Sequence, residues 1–144
     1  MSTPYSKIID AYLDKIDDYK MIEYTDDEIR EDAIVYMHRV CSDFEHICLT
    51  DLSDWDDTLQ RFEADLSSEE IQIIAKGMVV EWMRPIVYRS AAMQNVLNLK
   101  DASFFSPSKI MEQKALAFEK AEKMYRNAKL DYSYDHGEIG ELSL

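Results

Sequence analysis

The fold is decided by residues 66–85, which read LSSEEIQIIAKGMVVEWMRP. Ser67 and Glu70 have the spacing of a capping box, in which each side chain accepts a hydrogen bond from the other residue's backbone N–H group and a helix begins. From Ile71 to about Arg84 the residues are apolar on nearly every side, which is typical of a helix enclosed by others. This stretch is therefore predicted to be the central helix of the fold.

Pro85 stands at the end of that run. Proline has no backbone N–H group, and it disfavours the helical conformation in the residue before it. We therefore expect the helix to kink or end near Arg84, with a shorter helical segment continuing at an angle from Val87 to Leu97.

Two amphipathic helices are predicted before the central one. Ser2 or Thr3 is the expected N-cap of the first, with Pro4 just inside it, and Thr25 or Asp26 caps the second. In both segments the apolar side chains recur at spacings of three and four, which indicates helices. The first stripe comprises Tyr5, Ile8, Ile9, Tyr12, Leu13, Ile16 and Tyr19, and the second comprises Ile29, Ala33, Tyr36, Met37, Val40, Cys41, Phe44, Ile47 and Cys48.

An acidic turn with the sequence DLSDWDD occupies residues 51–57. It leads into a short segment, predicted to be amphipathic, that runs through Leu59 and Phe62. Leu52 and Trp55 are the large apolar residues within the turn, and we expect them to anchor it to the body of the protein.

The last helix is predicted to begin at Pro107, with Ser106 as its N-cap, and to run to about Leu130. Two glycines and no helical period follow it, so residues 131–144 are predicted to be an extended tail. The side chains expected along this helix are Ile110, Met111, Lys114, Leu116, Ala117, Ala121, Met124 and Tyr125.

Composition supports this helical interpretation. Glycine and proline number only three each in 144 residues, well below their average shares of roughly 7% and 5%. Turn-rich all-β folds and glycine-rich phosphate loops need more glycine. We predict an all-α protein, a small bundle of about four to five helices, in which residues 1–130 form one domain and residues 131–144 the extended C-terminal tail.

The sequence also indicates a cellular compartment. Two cysteines are too few for the disulfide framework of a small secreted protein, and no apolar stretch reaches the length of about 18 residues that a membrane span needs. The first residues do not have the pattern of a signal peptide. We therefore expect a protein that is made in a reducing cytoplasm and has no membrane partner.

Charge is distributed unevenly along the chain, whose net charge is −13. Residues 1–70 carry 20 acidic and 6 basic side chains, whereas residues 71–144 carry 9 acidic and 10 basic ones. Nucleic-acid binding needs clustered lysine and arginine, so this is not a typical DNA-binding domain. The acidic half is either a solvated face or a surface that docks on other copies or on a basic partner.

Two groups of residues invite a metal-site interpretation, and we favour a structural one for both. In the first group, two cysteines lie seven residues apart on one helical stripe, which predicts that both are buried in the core. The second group lacks the glycine and closing glutamate of an EF-hand loop, and aspartates are common turn and cap residues. The groups are His38, Cys41, His46 and Cys48, and Asp51, Asp54, Asp56 and Asp57.

No catalytic signature is visible. The sequence contains no nucleophile elbow, phosphate loop or dinucleotide fingerprint. His136 lies beside Asp135 in the predicted tail, where the fixed geometry that general-base catalysis requires is not expected. We predict a protein that is not an enzyme and that uses no cofactor.

Tyr132 and Tyr134 alternate in the predicted tail, so an extended chain would project both to one face. Tyrosine is enriched at protein interfaces. The tail is therefore either a contact segment for a neighbouring subunit or simply disordered, and the two interpretations agree if it becomes ordered on assembly.

The order of these features resembles the helical head–tail connector proteins, also called neck, adaptor or head completion proteins, of long-tailed bacteriophages. The resemblance covers nearly all of the chain and contains no catalytic signature. It lies in the sequences PYSKIIDAYLDKI at residues 4–16, DLSDWDD at 51–57, LSSEEIQIIAKGMVVEWMRP at 66–85, FFSP at 104–107 and YSYDHG at 132–137.

The resemblance implies a structural virion protein that is made in the host bacterial cytoplasm and sits in the virion neck. Such proteins form an oligomeric ring, typically of twelve copies, beneath the portal protein. The ring extends the channel through which the genome passes and offers a platform to other neck or tail-completion proteins. DNA would pass through without sequence-specific binding.

The resemblance also implies site residues. In such proteins the C-terminal segment inserts into the portal, so the candidate docking residues are Tyr132, Tyr134, His136 and Ile139. An acidic lumen repels phosphate, and the candidate channel-facing or subunit-interface carboxylates are Asp51, Asp54, Asp56 and Asp57.

Two other functions are considered. The chain could be a soluble acidic binding module, such as a DNA mimic or an anti-host regulator, with carboxylates in phosphate-like rows. Against this, the acidic residues alternate with apolar stripes as in ordinary amphipathic helices. A metal-dependent enzyme is the third possibility, for which the sequence offers no credible set of ligands.

Overall fold

The computed structural model describes residues 2–17, 32–101 and 107–136, with side chains described outside residues 90–110. This described part is mostly helical, which confirms the predicted small all-α bundle. Its four helices are α1 (Tyr5–Ile16), α2 (Ala33–Phe44), α3 (Ser68–Asp101) and α4 (Pro107–Asp135), and its three short strands are β1 (Thr3–Pro4), β2 (Trp55–Asp56) and β3 (Arg61–Phe62).

The centre of the bundle is α3, which packs against α1, α2 and α4. The predicted capping box begins it: the backbone N–H of Ser67 donates to Glu70 Oε1 at 2.8 Å, and the backbone N–H of Glu70 donates to Ser67 Oγ at 3.1 Å. Ile73, Ile74 and Met78 are among its fully buried side chains. The central position predicted for this helix is confirmed.

The helix does not end near Arg84, one of the two outcomes predicted, because α3 continues through Pro85 to Asp101. Proline removes one backbone hydrogen bond and costs about 3 kcal/mol in a helix interior. Pro85 is exposed, and α3 packs against α1, α2 and α4. Tertiary packing therefore maintains a helix that the local sequence disfavours.

The apolar stripes of α1 and α2 form most of the remaining core. Each buries most of the residues predicted from helical spacing. Ile9, Leu13, Ile47 and Cys48 are half-buried, whereas Tyr19, Ile29 and the proposed caps Thr25 and Asp26 lie outside the described residues. The buried members are Tyr5, Ile8, Tyr12, Ile16, Ala33, Tyr36, Met37, Val40, Cys41 and Phe44.

The start of α1 differs from the prediction. Pro4 occupies the N-cap position and not the first turn, and Thr3 belongs to β1, which pairs with β3. The hydroxyl of Thr3 donates to the carbonyl of Ala64 at 2.9 Å and accepts the N–H of Leu66 at 2.8 Å. These two hydrogen bonds of Thr3 therefore attach β1 to the segment before α3, and Thr3 does not cap α1.

The predicted amphipathic segment after the acidic turn is a small β-hairpin. Strand β3 pairs antiparallel with both β1 and β2, and the turn places Gln60 at a φ of 53°, a left-handed conformation. The carbonyl of Gln60 accepts the N–H of Tyr5 at 2.8 Å, which ties the turn to α1. Of the expected apolar contacts, Leu52 and Phe62 are buried, whereas Leu59 is 56% exposed.

Helix α4 begins at Pro107 as predicted and runs antiparallel to α3. Tyr132 bonds to Glu70 near the start of α3, and Phe118 contacts Tyr88 further along it. Between these contacts a Cβ atom on Gly77 would meet side-chain atoms of α2 and α4 at 2.6–2.9 Å, so the three helices approach closely there.

The side chains expected along α4 divide between the core and the surface. Ala121 is buried together with Phe118 and Tyr132, whereas Leu116 and Met124 are 64% and 44% exposed. The helix also continues past Leu130 to Asp135, so the domain boundary predicted at residues 130–131 falls inside a helix. Among the described helices, none combines the length and hydropathy needed to cross a bilayer.

Candidate interaction site

The most extensive polar network lies where the end of α2, the loop after it, the start of α3 and the end of α4 meet. At its centre is Glu70, whose side chain is buried although it belongs to the capping box. The hydroxyl of Thr50 lies within 2.9 Å of both carboxylate oxygens, and the thiol of Cys48 donates to Oε2 at 3.3 Å. We call this cluster, completed by Ser67 and Tyr132, the Glu70 network.

Tyr132 brings α4 into the Glu70 network. Its hydroxyl donates to Glu70 Oε2 at 2.8 Å and accepts the backbone N–H of Leu49 at 2.9 Å. Its ring meets that of Phe44 edge to face, and the ring of His136 lies 4.3 Å from it. The last turn of α4 is therefore fixed to the rest of the bundle by both hydrogen bonds and aromatic contacts.

The ionisation of the network follows from these contacts. Burial alone would raise the pKa of Glu70, but hydrogen bonds from Ser67, Thr50, Tyr132 and Cys48 outweigh it and hold the pKa below its usual value. Burial raises the pKa of Cys48 to about 12. The network thus contains one charged carboxylate surrounded by neutral donors.

Of the four predicted docking residues, Tyr132 is in the wrong place for that role because it is 1% exposed. The expectation that it shares a face with Tyr134 is also wrong. Residues 131–135 are helical, and side chains two positions apart on a helix point about 200° away from each other. Tyr134 is 65% exposed, and His136 lies at the end of α4 with Nε2 3.7 Å from Glu69 Oε2. Ile139 lies outside the described residues.

The four aspartates predicted as one acidic site lie in the same loop but have separate contacts. Asp51 accepts bonds from the backbone N–H and hydroxyl of Ser53, which lower its pKa. Asp56 accepts backbone N–H groups of the hairpin turn, and the side chain of Asp54 is exposed. Asp57 accepts the hydroxyl of Tyr5 at 2.7 Å.

The contacts of His38 explain why the hairpin stays on α2. Its Nε2 lies 3.0 Å from the Asp57 carboxylate, and its ring lies 4.6 Å from that of Trp55. Trp55 is still 42% exposed, so this expected anchor is only partly inserted. The hydrogen bonds from Tyr5 and His38 lower the pKa of Asp57.

The residues that were considered as possible zinc ligands make separate contacts in the structure. Cys41 is buried in the core as predicted, and burial raises its pKa to about 12. Cys48 is only half-buried, because α2 ends at Phe44 and the helical phase is lost before it. Among the residues that the structure describes, no group of three or more histidine, cysteine or acidic side chains could hold a metal ion.

A groove of about 430 Å³ lies between α2, α3 and α4 and is lined mainly by charged side chains. Asp43 accepts the hydroxyl of Tyr125 and the ammonium of Lys129, each at 2.7 Å. Burial opposes these contacts, but they lower the pKa of Asp43 overall. Glu81 lies within 4 Å of both Arg39 and Arg84. The groove is therefore lined by ion pairs, and the pair between Lys129 and Asp43 joins α4 to α2.

Comparisons of the chain with protein-family models, with curated proteins and with solved structures give no match.

Proposed function

We propose that this protein is a structural subunit of a bacteriophage neck, which assembles as a ring beneath the portal protein and contacts the portal through the chain that follows Tyr132. The observation that carries the proposal is the attachment of the last turn of α4 by the Glu70 network. The sequence resemblance to head–tail connector proteins supplies the identity of the partner.

The burial of Tyr132 supports different roles for Tyr132 and Tyr134 in the C-terminal region. Tyr132 is buried and holds the helix end, whereas Tyr134 is exposed and available for a contact. His136, the last described residue, lies beside Glu69 at the start of α3. A docking segment that begins at a fixed point loses less conformational freedom on binding than a segment joined to the domain by a flexible linker.

The charge distribution supports a position around DNA. Along α1 and at its C-cap, the exposed carboxylates Asp10, Asp14 and Asp17 follow the i, i+4, i+7 spacing and form one stripe. Negative charge beside a DNA channel repels phosphate and opposes adhesion of the genome. We propose that this stripe faces the lumen. Carboxylates found on the outer rim of an assembled ring would contradict that orientation.

Electron microscopy of the purified protein mixed with its cognate portal ring tests the proposal. We expect full-length subunits to form a symmetric ring on the portal and a truncation that ends at His136 to bind far more weakly. The truncation keeps Tyr132 and the Glu70 network, so it should fold and provides a matched control. Its thermal unfolding, followed by circular dichroism, should equal that of the full chain.

The alternative function as an acidic mimic makes a different prediction. If neither protein binds the portal, the neck proposal is wrong, and affinity capture of basic host proteins becomes the next experiment. The local hydrogen bonds of Asp51, Asp56 and Asp57 argue against a mimic, because carboxylates held in turns do not form phosphate-like rows.

A further inference from the structure

The outward side of α4 carries an exposed stripe that combines apolar and positively charged side chains. Leu116 and Tyr134 are 64% and 65% exposed, and they lie 18 residues apart, which is five helical turns or about 27 Å. Members of the stripe recur at spacings of three and four, and all are exposed. We call this surface the α4 stripe: Leu116, Lys120, Lys123, Asn127, Leu130 and Tyr134.

A second surface has the same kind of apolar residues and the opposite charge. In the loop and hairpin of residues 49–65, Leu49, Trp55 and Leu59 are 62%, 42% and 56% exposed. The same residues include six carboxylates and one arginine, and both Asp54 and Asp65 are exposed. We call this surface the acidic loop face.

The two surfaces are held in fixed positions on one copy. Asp43 of α2 contacts α4 through Tyr125 and Lys129, His38 of the same helix contacts the hairpin through Trp55, and the backbone N–H of Leu49 donates to Tyr132. Because these contacts fix both surfaces in the bundle, one copy cannot turn its own two surfaces toward each other. A second copy can, and because the contact is between unlike surfaces, each added copy leaves one of each free.

We infer that the α4 stripe of one copy binds the acidic loop face of a second copy. Exposed leucine, tyrosine and tryptophan supply the apolar area, and Lys120 and Lys123 face the carboxylates of the neighbour. The inference rests on the proposed ring assembly and identifies the surfaces that join its subunits. A heterologous contact of this kind, repeated from copy to copy, generates a ring when the rotations between neighbouring copies add up to a full turn.

The test compares self-association of the full-length protein and charge-reversed variants by sedimentation velocity at low salt. We expect the unmodified protein to associate as its concentration increases, and K120E/K123E and D54K/D65K each to weaken association at least about tenfold. The quadruple variant should regain it, because the charges are exchanged between the two surfaces. A K7E/R126E control, which reverses two exposed cations outside the stripe, should associate normally.

General charge repulsion predicts a different result. D54K/D65K reduces the net charge from −13 to −9, so repulsion alone would strengthen association, whereas the inferred contact predicts that association is lost. A protein that stays monomeric up to about 1 mM, a charge-reversed variant that associates normally or a quadruple variant that stays monomeric would each overturn the inference.

The same variants separate this inference from the neck proposal. Rings of D54K/D65K that form normally on the portal would refute the inferred contact and leave the neck proposal intact. Association in solution that follows the predicted pattern, combined with no binding of any protein to the portal, would support the contact and refute the neck function.

Discussion

Replacing Glu70 with glutamine tests whether the buried carboxylate holds α4 in place. The substitution keeps the shape of the side chain but removes the charge that accepts bonds from Thr50 and Tyr132. Hydrogen bonds to a charged group contribute about 1.5–3 kcal/mol each, and glutamine can retain part of the network. We therefore expect the free energy of unfolding to fall by about 2 kcal/mol at pH 7, which lowers Tm by about 4–8 °C.

The pH dependence gives this prediction its sharpest form. Because the pKa of Glu70 is lower in the folded than in the unfolded state, the charge stabilises the fold fully above the usual pKa of 4.5. That contribution disappears as the pH falls through the lower folded-state pKa. The difference between Glu70 and Glu70→Gln, measured by urea unfolding, should be constant from pH 8 to 6 and shrink in acid.

The neighbouring substitution Glu69→Gln is the matched control. Glu69 is exposed and forms a long ion pair with His136 at 3.7 Å, so we expect a change within about 0.5 kcal/mol. An equal loss in both variants would refute the reasoning. A loss for Glu70→Gln that stays constant down to pH 3 would show that the loss does not come from the carboxylate charge and would also refute the reasoning.

Three further predictions concern the packing around α3. Gly77→Ala should destabilise the protein by about 2 kcal/mol in urea unfolding, since its Cβ would meet Val40 at 2.6 Å and Tyr125 at 2.8 Å, and Val40→Ala should remove only part of that loss in a double-mutant cycle. Pro85→Ala should raise Tm by restoring a backbone hydrogen bond worth about 1 kcal/mol or more. Cys41 and Cys48, whose pKa is raised to about 12, should react with iodoacetamide at pH 7.5 far more slowly than in urea, as measured by mass spectrometry.

The parts of the fold that local chemistry determines were predictable from the sequence. Ser67 and Glu70 specify a helix start through bonds between residues three positions apart, and the structure has both bonds. The stripes of α1 and α2 repeat with the helical period, so their buried residues followed from spacing. In each case the relevant partners lie within one or two turns of the chain.

The errors occur where distant residues decide the outcome. Pro85 disfavours a helix locally, but α4 packs along α3 and the helix continues. The hairpin depends on the pairing of β3 with Thr3, which lies almost 60 residues earlier in the chain. Neither contact leaves a signal at the positions themselves, so sequence periodicity could not identify them.

The two tyrosines at the end of α4 show how such an error changes a functional argument. With a period of two, Tyr132 and Tyr134 share a face and would act together in docking, whereas with the helical period they separate into a buried and an exposed residue. The burial of Tyr132 depends on Glu70, a residue 62 positions away whose capping role gave no hint of a second partner. One carboxylate thus both starts the central helix and fixes the end of the last one. The starting point of the proposed portal contact is in this way set by the same residue that begins the core of the fold.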